Sequence, residues 1–306
     1  MENEVFFLAQ ILNFIRKEDP LHSKKVKKNV DELVSTYKEE FYTIVSLLKK
    51  FFDERNLPVE KIAGDYLKMI NDMRVEGMHF KKTRKYSCVN QHEAYLKVYS
   101  RADVMDYYMN ALLLSQVLWT HHFKMLMFFN NQLQSGFLSS TKAVLDIGPG
   151  HGFFSYLVIK NLSAINAIDI VDISDGSLEM TKAIIGDGGG KIAYFNRDIF
   201  NYESDTKYDL IILGEVLEHL DEPLLILNKL SSLLSDSGYL WLTTPTTAPA
   251  LDHVYLFRSR QEIVDLLVEA RLEIVKDFGC FAEDVNEETA MKFDISYLFG
   301  AFLKNK

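Results

Sequence analysis

Between Val144 and Phe154 the chain reads VLDIGPGHGFF, with Asp146 two residues ahead of three alternating glycines, Gly148, Gly150 and Gly152. Glycines in such a turn let a ligand approach the backbone amides at the start of a helix, the general physics of nucleotide sites. The dinucleotide fingerprint G-x-G-x-x-G/A requires a third small residue. Counting from Gly148 puts Phe153 there, and the pattern fails. Asp146 argues the same way, because a carboxylate ahead of the turn repels an arriving pyrophosphate and favours a cation.

The elements that must position this turn follow from the periodicity. Up to about Gln134 the apolar residues recur at three and four, as in VDELVSTYKEEFYTIVSLLKKFF, with Pro20 and Pro58 as interruptions, so this half is predicted helical. The stretch from Arg101 to Gln134 carries too many apolar positions for one exposed face and should be buried on several sides. After SGFLSS, short β-branched or apolar runs alternate with helical patterns, which predicts βαβ units and a parallel sheet. Seven strands are expected near Ala143–Ile147, Ala167–Val171, Lys191–Phe195, Tyr208–Leu213, Tyr239–Thr243, Leu272–Phe278 and Ser296–Leu303. Helices fit near Phe153–Asn161, Gly176–Ile185, Glu222–Leu234 and Arg260–Ala270. The expected architecture is an N-terminal all-helical cap, residues 1–135, and an α/β domain, residues 136–306, whose seven-stranded, mostly parallel, Rossmann-like sheet has helices on both faces.

Composition bounds the function. At 306 residues, 48% hydrophobic and 25% charged, the chain has the make-up of an ordinary globular protein. Its first twenty residues begin with acids instead of a basic region and read as an amphipathic helix, and the longest apolar run is broken at Gln116, His121 and His122, too short for a membrane span. Cys88 and Cys280 lack paired spacing, which fits a reducing cytoplasm. The net charge of −9 is uneven: residues 1–140 carry 20 Lys+Arg against 17 Asp+Glu, residues 141–306 carry 14 against 26. An acidic α/β half argues against a nucleic-acid substrate, which needs a basic stripe at the chemistry. The basic clusters KKVKK (Lys24 to Lys28) and KKTRK (Lys81 to Lys85) are expected to be solvated surface or to meet an acidic partner.

The cation-favouring turn resembles motif I of the class I S-adenosylmethionine-dependent methyltransferases, whose pattern is a hydrophobic run, Asp or Glu, then x-Gly-x-Gly-x-Gly. The resemblance runs through the C-terminal half. IVDISDGSLEMTKA is similar to the second-strand motif, which implies that Asp172 takes the ribose hydroxyls with Ile173 beside it; Asp169 is a rival nearer the usual spacing. A carboxylate suits a vicinal diol, which offers two donors to its two oxygens. FNRDIF resembles the motif after strand three and implies Asp198 at the adenine amino group and Ile199 against the ring. YDLIILGEVLEHLDEP resembles the fourth strand and its loop, with Gly214 at the cofactor. The implied ligand, S-adenosylmethionine, carries a sulfonium and an ammonium and no phosphate, with Asp146, Gly148 and Gly150 at its methionine end.

The resemblance implies methyl transfer to an oxygen or nitrogen of a small molecule; a role in specialised metabolism and a homodimer are further expectations. Beyond strand four, GEVLEH supplies Glu215, Glu218 and His219, and LDHVYLF supplies His253. Glu215, His219 and His253 are the catalytic candidates, in a proton-accepting role without a metal. The E-x-x-E-H spacing is also similar to metal-dependent methyltransferases acting on small RNA ends, and His253 would complete two carboxylates and two imidazoles. From the cap, Tyr99, Tyr107 and Tyr108 are the substrate-pocket candidates, in a stretch that also carries Tyr95, Trp119, His121 and His122. Two alternatives stay open: cyclisation of S-adenosylmethionine with release of methylthioadenosine, as in the azetidine-2-carboxylate synthases, and a binding protein that kept the cofactor fold without turnover.

Overall fold

The computed structural model describes residues 2–306. Six helices precede the first strand: α1 (Glu2–Glu18), α2 (Pro20–Glu54), α3 (Val59–Thr83), α4 (Gln91–Ala94), α5 (Ala102–Leu118) and α6 (Thr120–Gln134). Both interrupting prolines sit at helix starts. Pro20 opens α2 behind Asp19, whose side chain accepts from the His22 N–H, and Pro58 immediately precedes α3. A fixed φ without an N–H costs no intrahelical hydrogen bond there. Between α4 and α5, residues Tyr95–Tyr99 form one π-helical stretch, a rare geometry that gathers at functional sites. Helix α5 is buried on several sides, as its excess of apolar positions predicts.

The remaining elements are β1 (Ala143–Ile147), α7 (Phe153–Asn161), β2 (Ala167–Asp172), α8 (Asp175–Ile185), β3 (Ile192–Asn196), β4 (Tyr208–Gly214), α9 (Pro223–Leu233), β5 (Leu234–Pro245), α10 (Arg260–Glu269), β6 (Leu272–Phe281), α11 (Glu287–Phe293) and β7 (Tyr297–Asn305). All seven expected strands are present, in the order β3-β2-β1-β4-β5-β7-β6, with β7 antiparallel to both neighbours. Strand β5 begins at Leu234, earlier than the apolar run suggests. Helix α11, only seven residues long, was not anticipated, because two turns are too short for a helical period to show.

Alternation along the strands gives the sheet two different neighbours. Val144, Leu210, Ile212, Trp241 and Phe302 share one continuous apolar cluster with cap residues such as Phe123, Phe129 and Leu133. Their counterparts on the opposite face, Leu145, Ile147, Ile211 and Leu213, meet Leu227, Leu230, Ile263 and Leu267 of α9 and α10. Trp241 is fully buried at the join, with its ring 5.1 Å from Phe129 and 4.6 Å from Phe302. Truncating so large a core side chain costs about 3–5 kcal/mol, so the cap is held to the sheet by core packing. No helix among the described residues is long and apolar enough to cross a membrane.

Candidate active site

In this strand order the connections reverse direction between β1 and β4, and the crevice beyond the carboxyl ends of such strands is where open α/β sheets bind ligands. A cavity of about 610 Å³ opens there. Its walls come from the turn after β1 (Gly148 to His151), the segment after β4 (Gly214, Glu215, Glu218, His219), the loop after β5 (Pro245 to His253) and the cap.

The glycine turn is made by left-handed backbone, with φ of 59° at Gly148 and 55° at Gly150. At Gly148 a Cβ would stand 2.6 Å from a Val216 methyl, whereas at Gly150 it would meet nothing within 4 Å. The second glycine therefore leaves open space against exposed backbone, the shape a ligand needs for close approach. Asp146 lies beneath the turn and off the cavity wall, 1% exposed, accepting 2.6 Å from the Ser155 hydroxyl. Burial pushes its pKa up to about 7, against the lowering pull of that hydroxyl.

Strand parity separates the two rival acids of β2. Asp169 faces away from the cap and accepts from the Tyr202 and Tyr208 hydroxyls at 2.7 and 2.5 Å. Asp172 ends the strand on the cap-facing side. It takes the Ser174 N–H at 2.8 Å and the Ser177 hydroxyl at 2.5 Å, and burial pushes its pKa up to about 6. Ile173 beside it is exposed. Asp198 caps the turn after β3 through the Phe200 N–H at 2.8 Å, with Ile199 buried next to it. Asp172, Ile173, Asp198 and Ile199 border the β2–β3 side and do not line the 610 Å³ cavity, whereas Gly148, Gly150 and Gly214 do.

The catalytic candidates meet at the end of β4. Glu215 has φ of 54°, a left-handed conformation that is strained for a non-glycine residue and gathers at functional sites. Its N–H is held by the Thr243 carbonyl at 3.0 Å, and its buried Oε1 has no hydrogen-bond partner. Burial pushes its pKa up to about 7. Glu218 is raised further, first by burial and then by the Glu215 charge, while Thr244 donates to it at 2.9 Å. His219 Nδ1 lies 2.9 Å from the Asp252 carbonyl oxygen. A carbonyl only accepts, so Nδ1 carries the proton and the lone pair of a neutral ring is on Nε2. His219 and His253 stand edge to face at 4.9 Å. Ligand atoms of Glu218, His219 and His253 all lie within 4.8 Å of one another.

Asp252 was not anticipated, although it sits beside the His253 that was. It accepts from the Tyr99 hydroxyl at 2.9 Å and the Tyr108 hydroxyl at 3.0 Å. Burial would raise its pKa, but His219, His253 and the two hydroxyls hold it below the ordinary value. His253 is itself pushed down to about 3 by burial and is uncharged at neutral pH, so for this carboxylate the hydroxyl donors matter more than that ring. Of the three tyrosines, Tyr108 lines the cavity, Tyr99 reaches Asp252 from the π-helical stretch, and Tyr107 points elsewhere, donating to Asp72 at 2.7 Å. Successive helical positions diverge by about 100°, so adjacent tyrosines cannot share one target.

These residues fit a positively charged nucleoside. The Gly150 cradle is open, and Glu215, which lines the cavity, has a buried Oε1 with no hydrogen-bond partner. Comparisons agree with the geometry. The family description "Methyltransferase domain" matches residues 121–276. Among characterised proteins, malonyl-[acyl-carrier protein] O-methyltransferase 1 of Ilyobacter polytropus is 32% identical over 101 residues, 33% of this chain and 37% of that protein. Ubiquinone biosynthesis O-methyltransferase of Nitrosomonas europaea is 24% identical over 139 residues, 45% of this chain and 57% of that one. The matched region thus spans between about a third and three fifths of these two relatives. Two solved structures share the fold: mitomycin 7-O-methyltransferase MmcR (TM-score 0.56, 11% identity, 81% of this chain and 70% of that one) and the N-methyltransferase NodS of Bradyrhizobium japonicum in complex with S-adenosyl-L-homocysteine (TM-score 0.50, 15% identity, 71% and 100%). With the domain description covering half the chain, and a turn and sheet order that suit its ligand, this protein belongs to the class I S-adenosylmethionine-dependent methyltransferases.

Proposed function

We propose that the chain transfers a methyl group from S-adenosylmethionine to an oxygen or nitrogen of a small molecule, with residues 1–135 acting as the substrate-selecting cap. One observation carries this reading: a single cavity joins the glycine turn to the carboxylate–imidazole group of Glu215, Glu218, His219 and His253. When bound, the cofactor supplies a methyl already activated by positive sulfur. The chain's own work is binding and orientation, worth several kcal/mol of the barrier when reacting atoms are aligned. Gly148, Gly150 and Gly214 give backbone access for the methionine end, above Asp146. Asp172 offers oxygens to the ribose diol, and Ile173, Asp198 and Ile199 border the base. His219 Nε2 is free to take the acceptor's proton, with the ring oriented by the Asp252 carbonyl. Glu215 and His253 flank that proton path. The cavity's size suits a small molecule, and the acidic α/β half disfavours nucleic acid.

Titration calorimetry with S-adenosylmethionine, followed by incubation without acceptor, tests the reading. Bound cofactor with no methylthioadenosine released is the expected result. Released methylthioadenosine would indicate cyclisation, and absent heat a fold kept without its cofactor. The clustering of Glu218, His219 and His253 favours a second reading of the same site, a divalent cation in place of the free base. Dialysis against EDTA with metal analysis of the protein separates the two: the free-base reading expects no stoichiometric metal and unchanged turnover.

A further inference from the structure

The cap end of the cavity is built differently from the methyl-transfer end. At the α5–α6 junction Trp119 and His121 stack with ring centroids 5.4 Å apart and planes 20° apart, and His122 stands 4.8 Å from Trp119 and 4.5 Å from His121. All three line the cavity. Trp119 donates to the Tyr66 hydroxyl at 2.9 Å, and that hydroxyl lies 2.9 Å from His22 Nε2. His122 Nδ1 is held by Ser115 and Gln116 at 3.0 and 3.2 Å. His121 Nδ1 is buried and has no partner. Met69, Ile70 and Met73 of α3 line the same cavity, and thioethers make favourable contacts with aromatic rings.

Among the described residues, no unpaired Lys or Arg lines this cavity. Burial pushes His22 down to about 4, His121 to about 3 and His122 well below its ordinary value, so all three rings are neutral at pH 7. Among the described residues lining the cavity, the two Lys or Arg side chains are Lys25 and Arg74, and both are engaged: Lys25 with Glu283 at 2.8 Å and Arg74 with Asp19 at 2.7 Å. An anionic substrate would find no free cation there and would face the carboxyls of Glu215, Glu218 and Asp252 beyond. An aromatic ring finds stacking partners, sulfur and neutral polar nitrogens.

We propose that the Trp119–His121–His122 junction binds the acceptor, and that the acceptor is an uncharged molecule built on a planar aromatic ring with a hydrogen-bonding substituent. The inference rests on the methyltransferase reading and deepens it, since the comparisons leave the acceptor open. Aromatic stacking adds affinity beyond area burial, and the unpartnered His121 nitrogen gives the substituent a partner.

Three probes of matched skeleton separate the possibilities: 2-naphthol, its saturated counterpart decahydro-2-naphthol, and 2-naphthoate. The chain has two tryptophans, and Trp241 is fully buried, so quenching of the half-buried Trp119 reports a ring at the junction. The expected result is quenching by 2-naphthol, with affinity at least tenfold above that of the saturated alcohol and of the carboxylate. Trp119→Leu and His121→Leu should each weaken naphthol binding, by calorimetry, about three- to tenfold while leaving the affinity for S-adenosylmethionine unchanged; Trp119→Phe should retain most of it and guards against a folding defect in the leucine variant. Equal binding of the saturated alcohol would overturn the aromatic requirement, and tighter naphthoate binding would overturn the neutral one. Cofactor binding without any naphthol binding would sink this inference and leave the methyltransferase reading intact, whereas loss of cofactor binding in the parent protein would sink that reading instead.

Discussion

Tyr99 and Asp252 stand 153 positions apart in the chain, and the cap tyrosine donates a 2.9 Å hydrogen bond to the carboxylate in the loop after β5. Tyr108 takes the other carboxylate oxygen at 3.0 Å, and the backbone carbonyl of the same aspartate holds His219. Asp252 thus ties the helical cap to the imidazole proposed to accept the proton.

Removing the tie should be costly at Asp252 and modest at its donors. Tyr99→Phe is expected to lower stability by about 1 kcal/mol, and Asp252→Ala, which strips two buried hydroxyls of their acceptor, by about 2–4 kcal/mol. Tyr107→Phe, whose hydroxyl serves Asp72 away from the site, should leave cofactor affinity unaltered. Denaturant melts and calorimetry on the three variants check the ranking; equal effects of Tyr99→Phe and Asp252→Ala would remove Asp252 from this role.

The two acids of β2 should separate by phenotype. Asp172→Ala is expected to weaken S-adenosylmethionine binding by about 1–3 kcal/mol through lost hydrogen bonds, roughly 5- to 150-fold in Kd. Asp169→Ala should leave Kd alone and destabilise the fold by about 1–3 kcal/mol, because Tyr202 and Tyr208 lose a shared acceptor. The opposite pattern would move the ribose contact to Asp169.

Cofactor affinity should fall as the solution is acidified. Burial raises Asp146 to about 7 and Asp172 to about 6. A sulfonium and a diol both favour the ionised carboxylate, so above pH 7 binding needs no proton release, while below it a proton must leave first. Apparent Kd should therefore rise from pH 8 to 5.5, approaching about tenfold per pH unit once a single group is protonated. S-adenosylhomocysteine, whose sulfur is uncharged, should show the shallower slope. A flat profile for both ligands would remove these acids from the binding site.

The basic clusters find their acidic partner inside the same chain. Lys25 pairs with Glu283 and Lys28 with Asp284, while Arg84 makes two contacts with Asp294, at 2.6 and 2.8 Å. All three acids belong to the excursion between β6 and β7, which contributes Ala282, Phe293 and Ile295 to the cavity wall. Exposed pairs are screened by salt, so raising ionic strength from 0.05 to about 1 M should speed hydrogen exchange in residues 282–296 with little change in the melting temperature. Arg84→Ala should do the same at low salt. Unchanged exchange would mean that apolar contacts alone hold this segment.

Periodicity and the glycine turn were enough to read a helical half followed by a seven-stranded α/β half, because amphipathic spacing and turn chemistry are local properties of a chain. The family followed from one acid, three glycines and the order of the strand-end motifs, which the cofactor's own shape and charge impose on neighbouring residues. Asp169 against Asp172 was a different matter: one residue of parity decides which side of the sheet a carboxylate faces, and only the pairing of β2 with β1 and β3 settles it. Which tyrosine reaches the site depended on a π-helical stretch and a helix crossing. Asp252 is silent in the sequence because its importance comes from three side chains brought from distant positions, Tyr99, Tyr108 and His219. The sequence by itself determined the fold and the kind of cofactor, since both are encoded in short runs. Tertiary structure alone decided how the acids are partnered, where the basic clusters point, and that the cap's histidines stay neutral, because burial and through-space contact exist only once the chain has closed on itself.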